Sequence, residues 1–380
     1  MRVSYENYLY KIKLMKKIII FFLISMLLMS CNKASEGYFN GKTLLTEISK
    51  TSIDSLKGEY INLNDIYSGY MSAYDSILLF VSNSFPNYQL YVYNLNNYKL
   101  IGKYAHKGDG PEDYTGLTHV EQFICDNNNI KLWIRDGYKN KIMLFNLTST
   151  IHKNNVSIDS VVTLDWSKHT FVPFGSVFML KNNDVLAKIQ AERKLDSSSY
   201  SPERFEMYNI QQKPIRNIKI YNSPILKRKF DFPVENYFYS VDRIKPDGSK
   251  IVMAMEMMAQ INIYDIKEDK LIAFKIKNSP EFDYLTKSAE DYKIFFRDVC
   301  VDNEYIYALY SNVVLEKNGQ NYPFKTNTIF VYNWFGKFIK HIVIDKLTSE
   351  ITIDPVNKYL FALTNEDLIY KYDMNYLYKK

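Results

Sequence analysis

Residues 90–94, Leu90-Tyr91-Val92-Tyr93-Asn94, carry the pattern that decides the fold: apolar and aromatic residues that end in an aromatic residue followed by Asn or Asp. The same ending recurs at Phe145-Asn146, Tyr208-Asn209, Tyr264-Asp265, Tyr332-Asn333 and Tyr372-Asp373. Successive copies lie 40 to 68 residues apart. β-Branched and aromatic residues favour strands, and Asp or Asn favours the turn that follows. The sequence therefore predicts six copies of one strand-rich module.

Each module also contains an earlier pair of apolar strands joined by a turn rich in Asp, Asn, Gly and Pro. These turns are Tyr74-Asp75-Ser76, Cys125-Asp126-Asn127, Asn182-Asn183-Asp184, Pro246-Asp247-Gly248, Val301-Asp302-Asn303 and Asp354-Pro355-Val356. The second strands that follow them are 77–81, 130–134, 185–189, 250–254, 305–309 and 359–363. Four strands per module at this spacing are typical of propeller blades. We therefore predict an all-β chain in which residues 41–380 form a six-bladed β-propeller, with a generic β-sandwich as the alternative.

The last module predicts how the ring closes. Its first three strands lie at 350–353, 359–363 and 368–372, and little chain remains after them for a fourth. Residues 42–48 or 60–63 have the pattern of a strand that precedes the first blade. We expect one of these N-terminal segments to complete the last blade, because such closure removes exposed sheet edges.

The N-terminus predicts export. Residues 18–29 are apolar apart from Ser25, and four lysines precede them. This run is shorter than the roughly 20 apolar residues of a membrane-spanning helix, and it has the layout of a signal peptide. It ends at Leu28-Met29-Ser30-Cys31, which resembles the lipobox of bacterial lipoproteins. We predict a signal peptide at 1–30, of which 1–14 is a candidate misassigned start, lipidation of Cys31 and a lipidated tether at 31–40. An ordinary signal peptide with a chance cysteine is the alternative.

The distribution of charge along the chain argues against a nucleic-acid partner. The chain has a formal net charge of +6, but Arg2 and four lysines against Glu6 give the predicted signal peptide +4 of it. The remaining chain is close to neutral, so the basic pI gives no support for nucleic-acid binding. The predicted partners are the membrane, through the lipid, and an envelope protein, peptide or glycan. We expect a monomer.

The two other cysteines are predicted to be free. Cys125 and Cys300 precede the first turns of modules two and five, which lie opposite each other in a six-membered ring. Disulfide bonds require Cα atoms within about 7 Å, which residues across a propeller channel should exceed. We expect two buried thiols that pack as small hydrophobic groups.

Three features resemble the TolB-like six-bladed propeller lipoproteins of Gram-negative bacteria. They are the lipobox, the repeated Tyr-Asn strand and the segment Lys107-Gly108-Asp109-Gly110-Pro111-Glu112-Asp113-Tyr114. This segment is similar to the family's Gly-x-Gly-Pro-x-Glu-Phe motif, with Asp113 and Tyr114 in place of Glu and Phe. The resemblance implies the fold and a cell-envelope location, and it implies little about activity. We expect the anchor to lie in the outer membrane, with the propeller facing the periplasm or the cell surface.

The predicted loops of unequal length suggest where a ligand could bind. Long connections at 105–118, 191–205, 223–238, 278–292 and 311–325 all fall on one face of the predicted ring, where function tends to concentrate. Lys107, Asp109 and Glu112 are candidate ligand-binding residues on the first of them, although a structural loop between blades is the more favoured interpretation. Arg135 and Arg297 should lie near the channel mouth and could hold an anionic group. Salt bridges to neighbours such as Asp136 or Asp298 are the more favoured interpretation of both arginines.

Enzyme signatures are absent from the sequence. The histidines are scattered as His106, His119, His152, His169 and His341, and no metal-ligand motif or nucleophile elbow occurs. We predict no catalytic residue, no metal and no cofactor. The leading hypothesis is a non-catalytic binding or scaffolding module that uses the long-loop face. The alternative is an envelope hydrolase or lyase with an active site at the channel mouth.

Overall fold

The structure, a computed structural model, describes residues 39–48, 53–63, 69–164, 175–189, 192–193, 200–201, 203–222, 238–279, 293–314 and 326–379, without the side chains of 119–121, 192–193 and 200–201. The predicted signal peptide, Cys31 and most of the predicted tether lie outside this part of the chain, as does most of the long connections other than 105–118. No helix among the described residues is long and apolar enough to cross a membrane. All described strands fall within one compact unit, Phe39–Lys380.

Three short strands precede the first blade: β1 (Lys42–Thr46), β2 (Ile53–Leu56) and β3 (Glu59–Ile61). Blade one contains β4 (Tyr70–Tyr74), β5 (Ile77–Val81), β6 (Tyr88–Asn94) and β7 (Leu100–His106). Blade two contains β8 (Leu117–Asp126), β9 (Asn129–Asp136), β10 (Lys141–Asn146), helix α1 (Leu147–Lys153) and β11 (Ile158–Thr163). Blade three contains β12 (Val177–Met179), β13 (Val185–Ile189), a small hairpin of β14 (Glu192–Arg193) and β15 (Tyr200–Ser201), β16 (Arg204–Tyr208) and β17 (Pro214–Lys219).

Blade four contains β18 (Ser240–Ile244), β19 (Lys250–Met255), β20 (Gln260–Asp265) and β21 (Lys270–Ile276). Blade five contains β22 (Lys293–Val301), β23 (Tyr305–Val314), β24 (Thr326–Asn333) and β25 (Phe338–Thr348). Blade six contains β26 (Glu350–Ile353), β27 (Tyr359–Leu363) and β28 (Ile369–Asp373), followed by a 3₁₀ turn at Asn375–Tyr378. Within each blade the four strands are antiparallel neighbours. The predicted six-bladed propeller is confirmed.

The repeated aromatic-Asn/Asp pair ends the third strand of every blade, as predicted. The aromatic ring of each pair is buried, and the following side chain accepts a backbone N–H in the next turn. For example, Tyr332 is fully buried, while Asn333 Oδ1 accepts the N–H groups of Phe335 and Lys337 at 3.0 Å. One residue thus anchors the strand in the core and the next fixes the turn.

The ring closes through β3, which pairs antiparallel with β28 as the fourth strand of blade six. The expectation for 60–63 is therefore confirmed, and the alternative that placed 42–48 in this position is wrong. Instead β1 pairs parallel with β21 at the outer edge of blade four, and β2 pairs parallel with β25 at the outer edge of blade five. The physical reason is chain length: β3 leads directly into blade one, the ring neighbour of blade six, whereas β1 lies farther back along the chain.

The core lies between neighbouring blades. Val92 of blade one packs in one cluster with Leu132 of blade two, and Val252 of blade four packs with Ile306 of blade five. Because a blade packs against a neighbour on each face, strands near the channel such as β5 are buried at every position, whereas outer strands such as β11 are largely exposed.

The two cysteines differ from each other in burial. Both thiols are free, as predicted, and Cys300 is buried against Tyr307 and Ile351. Cys125, however, is exposed, so its predicted burial is wrong. Cys125 directly precedes the turn residue Asp126, whereas Cys300 stands two residues before Asp302. The end of β8 is open, since the neighbouring Ile124 is also exposed, whereas the end of β22 packs against Ile351 and Ile353 of blade six.

Candidate functional site

The first strand of every blade lines the central channel, and the starts of these six inner strands enclose a cavity of about 300 Å³. We call this cavity the charged mouth. It is lined by Tyr70, Thr118, Arg135, Gly175, Ser176, Val177, Phe178, Tyr239, Ser240, Val241, Asp242, Arg243, Arg297, Asp298, Ser349 and Glu350. No histidine is among these lining residues, and the described part of the chain contains no cluster of three or more potential metal ligands.

Arg135 is the most deeply placed cation of the charged mouth. It lies near the end of β9 and is only 2% exposed. Its Nη1 donates to the backbone carbonyl of Gly175, the residue that precedes β12, at 2.7 Å. Burial lowers the pKa of Arg135 to about 10, although the charge of Asp136 acts in the opposite direction. The guanidinium remains protonated near neutral pH, in a position where a positive charge is costly.

Two further arginines hold fixed positions through carboxylates. Arg243 Nη2 donates to Asp298 Oδ1 at 3.1 Å, and Arg297 Nη1 donates to Glu256 Oε1 at 2.6 Å. Asp298 also accepts the backbone N–H of Ile351 at 2.8 Å, so one carboxylate links blades four, five and six. The observed partners of the two arginines therefore lie on neighbouring strands or blades. Fixed guanidinium groups of this kind can present N–H donors to a ligand without losing side-chain entropy.

A buried ion cluster supports the wall of the charged mouth. Lys188 Nζ lies 3.0 Å from Asp242 and 2.8 Å from Glu203, and Asp242 also accepts the hydroxyls of Ser176 and Ser240 at 2.8 and 2.6 Å. Burial would lower the pKa of Lys188, but the charges of Asp242 and Glu203 outweigh it and raise the pKa above its ordinary value. Burial raises the pKa of Glu203 to about 7, opposed by Lys188 and reinforced by Asp242.

The 107–114 segment forms a connection between blades one and two. Lys139 of blade two donates to the backbone carbonyls of Gly110 and Asp113 at 2.8 and 2.6 Å. Asp113 also bonds His106 at 2.9 Å and accepts the N–H of Gly110 at 3.1 Å. A Cβ atom on Gly108 would lie 2.3 Å from the Asp113 carboxylate, which explains the glycine there. The hydrogen bond from His106 lowers the pKa of Asp113, and the bond from Gly110 acts in the same direction.

The structure brings together only part of the predicted candidate set. Arg135 and Arg297 meet at the charged mouth. Lys107, Asp109 and Glu112 do not line it: Lys107 donates to the carbonyl of Asn83 at 2.6 Å, and Glu112 borders a separate cavity of about 660 Å³ beside blades one and two.

Sequence reasoning missed Arg243, Lys188 and Glu203. The Asp242-Arg243 pair near the start of an inner strand parallels Arg297-Asp298 in the next blade, which could have indicated Arg243. Lys188 is the one charged residue of an otherwise apolar strand, a further usable signal. Glu203 follows a long connection and carries no pattern of its own.

A family model described as "TolB-like 6-blade propeller-like" matches residues 54–356 of the chain. The chain belongs to this family. The match spans from β2 to the first turn of blade six, and so covers nearly all of the TolB-like propeller. No curated protein matches the chain.

Two solved structures are similar to this TolB-like propeller in fold. One is a protein named as exported from Bacteroides fragilis NCTC 9343, with 15% identity and a TM-score of 0.49, covering 84% of this chain and 99% of its own. The other is a member of the DUF4221 family from Bacteroides vulgatus ATCC 8482, with 10% identity and a TM-score of 0.50, covering 83% of this chain and 92% of its own. At these identities the likeness concerns the fold alone.

Proposed function

We propose that this protein is an exported, lipid-anchored binding module of the cell envelope, without catalytic activity, whose charged mouth holds an acidic peptide segment of an envelope protein. The observation that carries the proposal is the convergence of Arg135, Arg243 and Arg297 in one cavity formed by all six inner strands. The six-bladed scaffold holds these side chains on rigid strands rather than on loops, which preorganises them for binding.

The buried position of Arg135 favours an anionic group as ligand. A guanidinium in a desolvated site has a high electrostatic cost, as the lowered pKa of Arg135 reflects. A carboxylate bound beside it would offset this cost and match the planar, forked geometry of the guanidinium. Carboxylates are therefore the ligand groups that this position should select.

A peptide fits the remainder of the charged mouth. Asp242, Asp298 and Glu350 contribute carboxylates beside the three arginines. The arginines can therefore bind the acidic side chains of a peptide, and the carboxylates can accept its backbone N–H groups. Tyr70 and Tyr239 are about half exposed at the rim, at 50% and 47%. Such rings combine apolar contact area with a hydroxyl and are common at binding surfaces. The cavity of about 300 Å³ suits a few residues of an extended segment rather than a folded domain.

The same geometry argues against the hydrolase alternative. Ser240 Oγ lies 3.0 Å from Lys188 Nζ, the spacing of a Ser-Lys nucleophile and base. A lysine can act as a general base only when it is neutral. The pKa of Lys188 is raised by Asp242 and Glu203 despite its burial, so Lys188 stays protonated and does not act as the base of a Ser-Lys pair.

Peptide binding tests the proposal directly. The probes are a fluorescein-labelled heptapeptide of Asp, Glu and Gly and a matched Asn/Gln/Gly heptapeptide, each titrated into the chain that begins at Asn32. We expect saturable binding of the acidic peptide and at least tenfold weaker binding of the neutral one, since each charge-assisted contact contributes about 1.5–3 kcal/mol. Arg135→Gln should weaken the acidic peptide by about tenfold or more, and Arg135→Lys should restore part of the loss because it retains the charge but not the fork.

Several outcomes would contradict this function. Equal affinity for the acidic and neutral peptides would show that the arginines do not select acidic ligands. Oligogalacturonate binding in place of the peptide would reassign the ligand to an acidic glycan. Cleavage of the peptide by the wild-type chain, but not by Ser240→Ala, would favour the hydrolase. Thermal melting of each variant separates lost binding from lost folding.

The lipid anchor at Cys31 is part of the proposal and has its own test. Lipobox-like residues 28–31 stand at the end of the apolar run, where a lipoprotein signal peptide is cleaved. Cells grown with an alkyne-tagged palmitate should incorporate the tag into the wild-type protein and not into Cys31→Ser, whereas Cys125→Ser should label normally. The tagged protein should fractionate with the outer membrane. Equal labelling of the Cys31→Ser variant would contradict the anchor.

A further inference from the structure

The opposite end of the channel contains a second, larger cavity. The ends of the six inner strands and the turns that follow enclose about 460 Å³, a volume typical of small-molecule sites. We call this cavity the apolar mouth. Its lining comprises Ser72, Ala73, Tyr74, Gln122, Phe123, Ile124, Cys125, Trp133, Leu144, Met179, Leu180, Lys181, Asn183, Ile244, Lys245, Pro246, Gly248, Cys300, Val301, Thr352, Ile353 and Pro355.

The walls of the apolar mouth suit a flat or extended hydrocarbon body. Aromatic and aliphatic side chains from all six blades face a common space, among them Tyr74 and Phe123, whose rings stack at 5.0 Å with an angle of 24°. The outer end is open enough that Cys125 is exposed. Apolar surface left accessible in a concave site is stabilised when a ligand removes it from water.

Two polar groups, one at the inner end of this cavity and one at its rim, would orient a bound ligand. The hydroxyl of Ser72 is buried and has no hydrogen-bond partner among the described residues, and it lines the cavity two residues deeper in β4 than Tyr74, which is about 7 Å along a strand. Lys181, in the turn after β12, is exposed at the rim and has no ion-pair partner in the described part of the chain. The other rim lysine, Lys245, is paired with Asp247.

We propose that the apolar mouth binds a small amphiphilic carboxylate, with its hydrocarbon body between the inner strands, its carboxylate at Lys181 and a hydrogen-bonding group at its inner end beside Ser72. A buried hydroxyl without a partner is costly, so a polar atom at the inner end of the ligand would be favoured there. The rim lysine would attract the negative end and orient it outward. An aromatic acid and a medium-chain fatty acid share this chemistry.

The test uses the chain that begins at Asn32, which retains the whole compact unit from Phe39 onward. The probes are 2-naphthoate, 6-hydroxy-2-naphthoate, octanoate and the cation 2-naphthylmethylammonium, each titrated by calorimetry. We expect one saturable site for at least one carboxylate, with the hydroxylated naphthoate tighter than 2-naphthoate, and at least fivefold weaker binding of the cation. Comparison of naphthoate with octanoate distinguishes an aromatic from an acyl ligand.

Variants and a thiol reporter locate the site. Lys181→Gln should weaken the carboxylate by about threefold to fivefold, while Lys337→Gln, an exposed lysine outside this cavity, should not change it. Ser72→Ala should abolish the preference for the hydroxylated naphthoate. Bound ligand should slow the reaction of Cys125 with a disulfide reagent, since Cys300 is buried and Cys31 is absent from this chain. Absence of saturable carboxylate binding, equal binding of the cation, or binding that leaves Cys125 reactivity unchanged would overturn the proposal.

Discussion

The two mouths of the channel are built from the same six strands and differ in chemistry. At the charged mouth, where the inner strands begin, Arg135, Arg243 and Arg297 lie among carboxylates. At the apolar mouth, where the same strands end, the lining is mainly aromatic and aliphatic. In a propeller, each blade places one inner-strand residue at each level of the channel. A few residues at the strand starts can therefore set the chemistry of one mouth without altering that of the other.

Side-chain hydrogen bonds link the blades at both ends of the channel. Near the charged mouth, carboxylates connect them: Asp298 joins three blades, and Glu350 accepts the backbone N–H of Met71 at 2.6 Å. At the apolar mouth the neutral amide of Gln122 both donates to and accepts from the backbone of Met179, at 2.7 Å each. Beside the apolar mouth Asp354 of blade six also accepts the backbone N–H of Asp75 of blade one, at 2.9 Å, so carboxylates link blades at both ends and only the Gln122 link should be independent of ionisation.

The largest expected effect is on stability. Asp298→Ala would remove a carboxylate from the partly buried Arg243 and leave the N–H of Ile351 without its acceptor, so we expect a loss of about 3 kcal/mol in the free energy of unfolding. Gln122→Ala, the matched change at the apolar end, should cost about 1–2 kcal/mol. Urea unfolding monitored by circular dichroism measures both. A larger cost for Gln122→Ala would reverse the comparison.

The second effect is a pH dependence that arises at the charged end. The folded-state pKa of Glu203 is raised from 4.5 to about 7, so the folded protein retains a proton that the unfolded chain has released. Its contribution to stability is full below pH 4.5 and is lost as the pH rises through 7. Glu203→Gln should remove this slope and be more stable than wild type above pH 7, by up to about 3 kcal/mol.

Unfolding midpoints measured between pH 4 and 8 test this effect. The control is Glu47→Gln, a largely exposed carboxylate whose replacement should leave the slope of wild type intact. A parallel pH profile for Glu203→Gln and wild type would show that Glu203 is ionised throughout, and would contradict the proton assignment in the Lys188 cluster.

The smallest effect concerns salt. Binding of the acidic heptapeptide at the charged mouth should weaken several-fold between 0.05 and 0.5 M NaCl, because screening reduces the attraction between exposed parts of the ligand and the arginines. Binding of 2-naphthoate at the apolar mouth should change by less than about twofold, since burial of hydrocarbon is its main source of affinity. Equal salt dependence would mean that the two mouths do not differ in the way proposed.

The sequence predicts the scaffold better than the site. Each blade repeats the same buried aromatic residue followed by a turn-forming Asn or Asp, as at Tyr93-Asn94. The strand and turn preferences of these two residues are enough to locate the third strands from the sequence. The strand at 42–48 was predicted but its pairing was not, and β2 was not predicted at all, because both strands occupy outer edges and follow no repeat. Their positions depend on which blade edge the returning chain meets, which is a property of the closed ring.

The site was predicted in part for a related reason. The positions of Arg135 and Arg297 follow from the strand count, since both flank the same end of the channel. The partners of these side chains do not follow, because Arg297 meets Glu256 and Asp298 meets Arg243 across strand or blade boundaries. The apolar mouth leaves no motif at all: its lining residues are ordinary strand ends, and only the ring brings Ser72, Cys125 and Lys181 to one cavity.

The most direct test of two chemically distinct mouths is a crosswise calorimetric titration of both probes into Arg135→Gln and Lys181→Gln. We predict that Arg135→Gln weakens the acidic heptapeptide by about tenfold and leaves 6-hydroxy-2-naphthoate unchanged. Lys181→Gln should weaken the naphthoate by about threefold to fivefold and leave the peptide unchanged. If either substitution weakened both probes equally in a protein that melts like wild type, the account of two independent mouths would be contradicted.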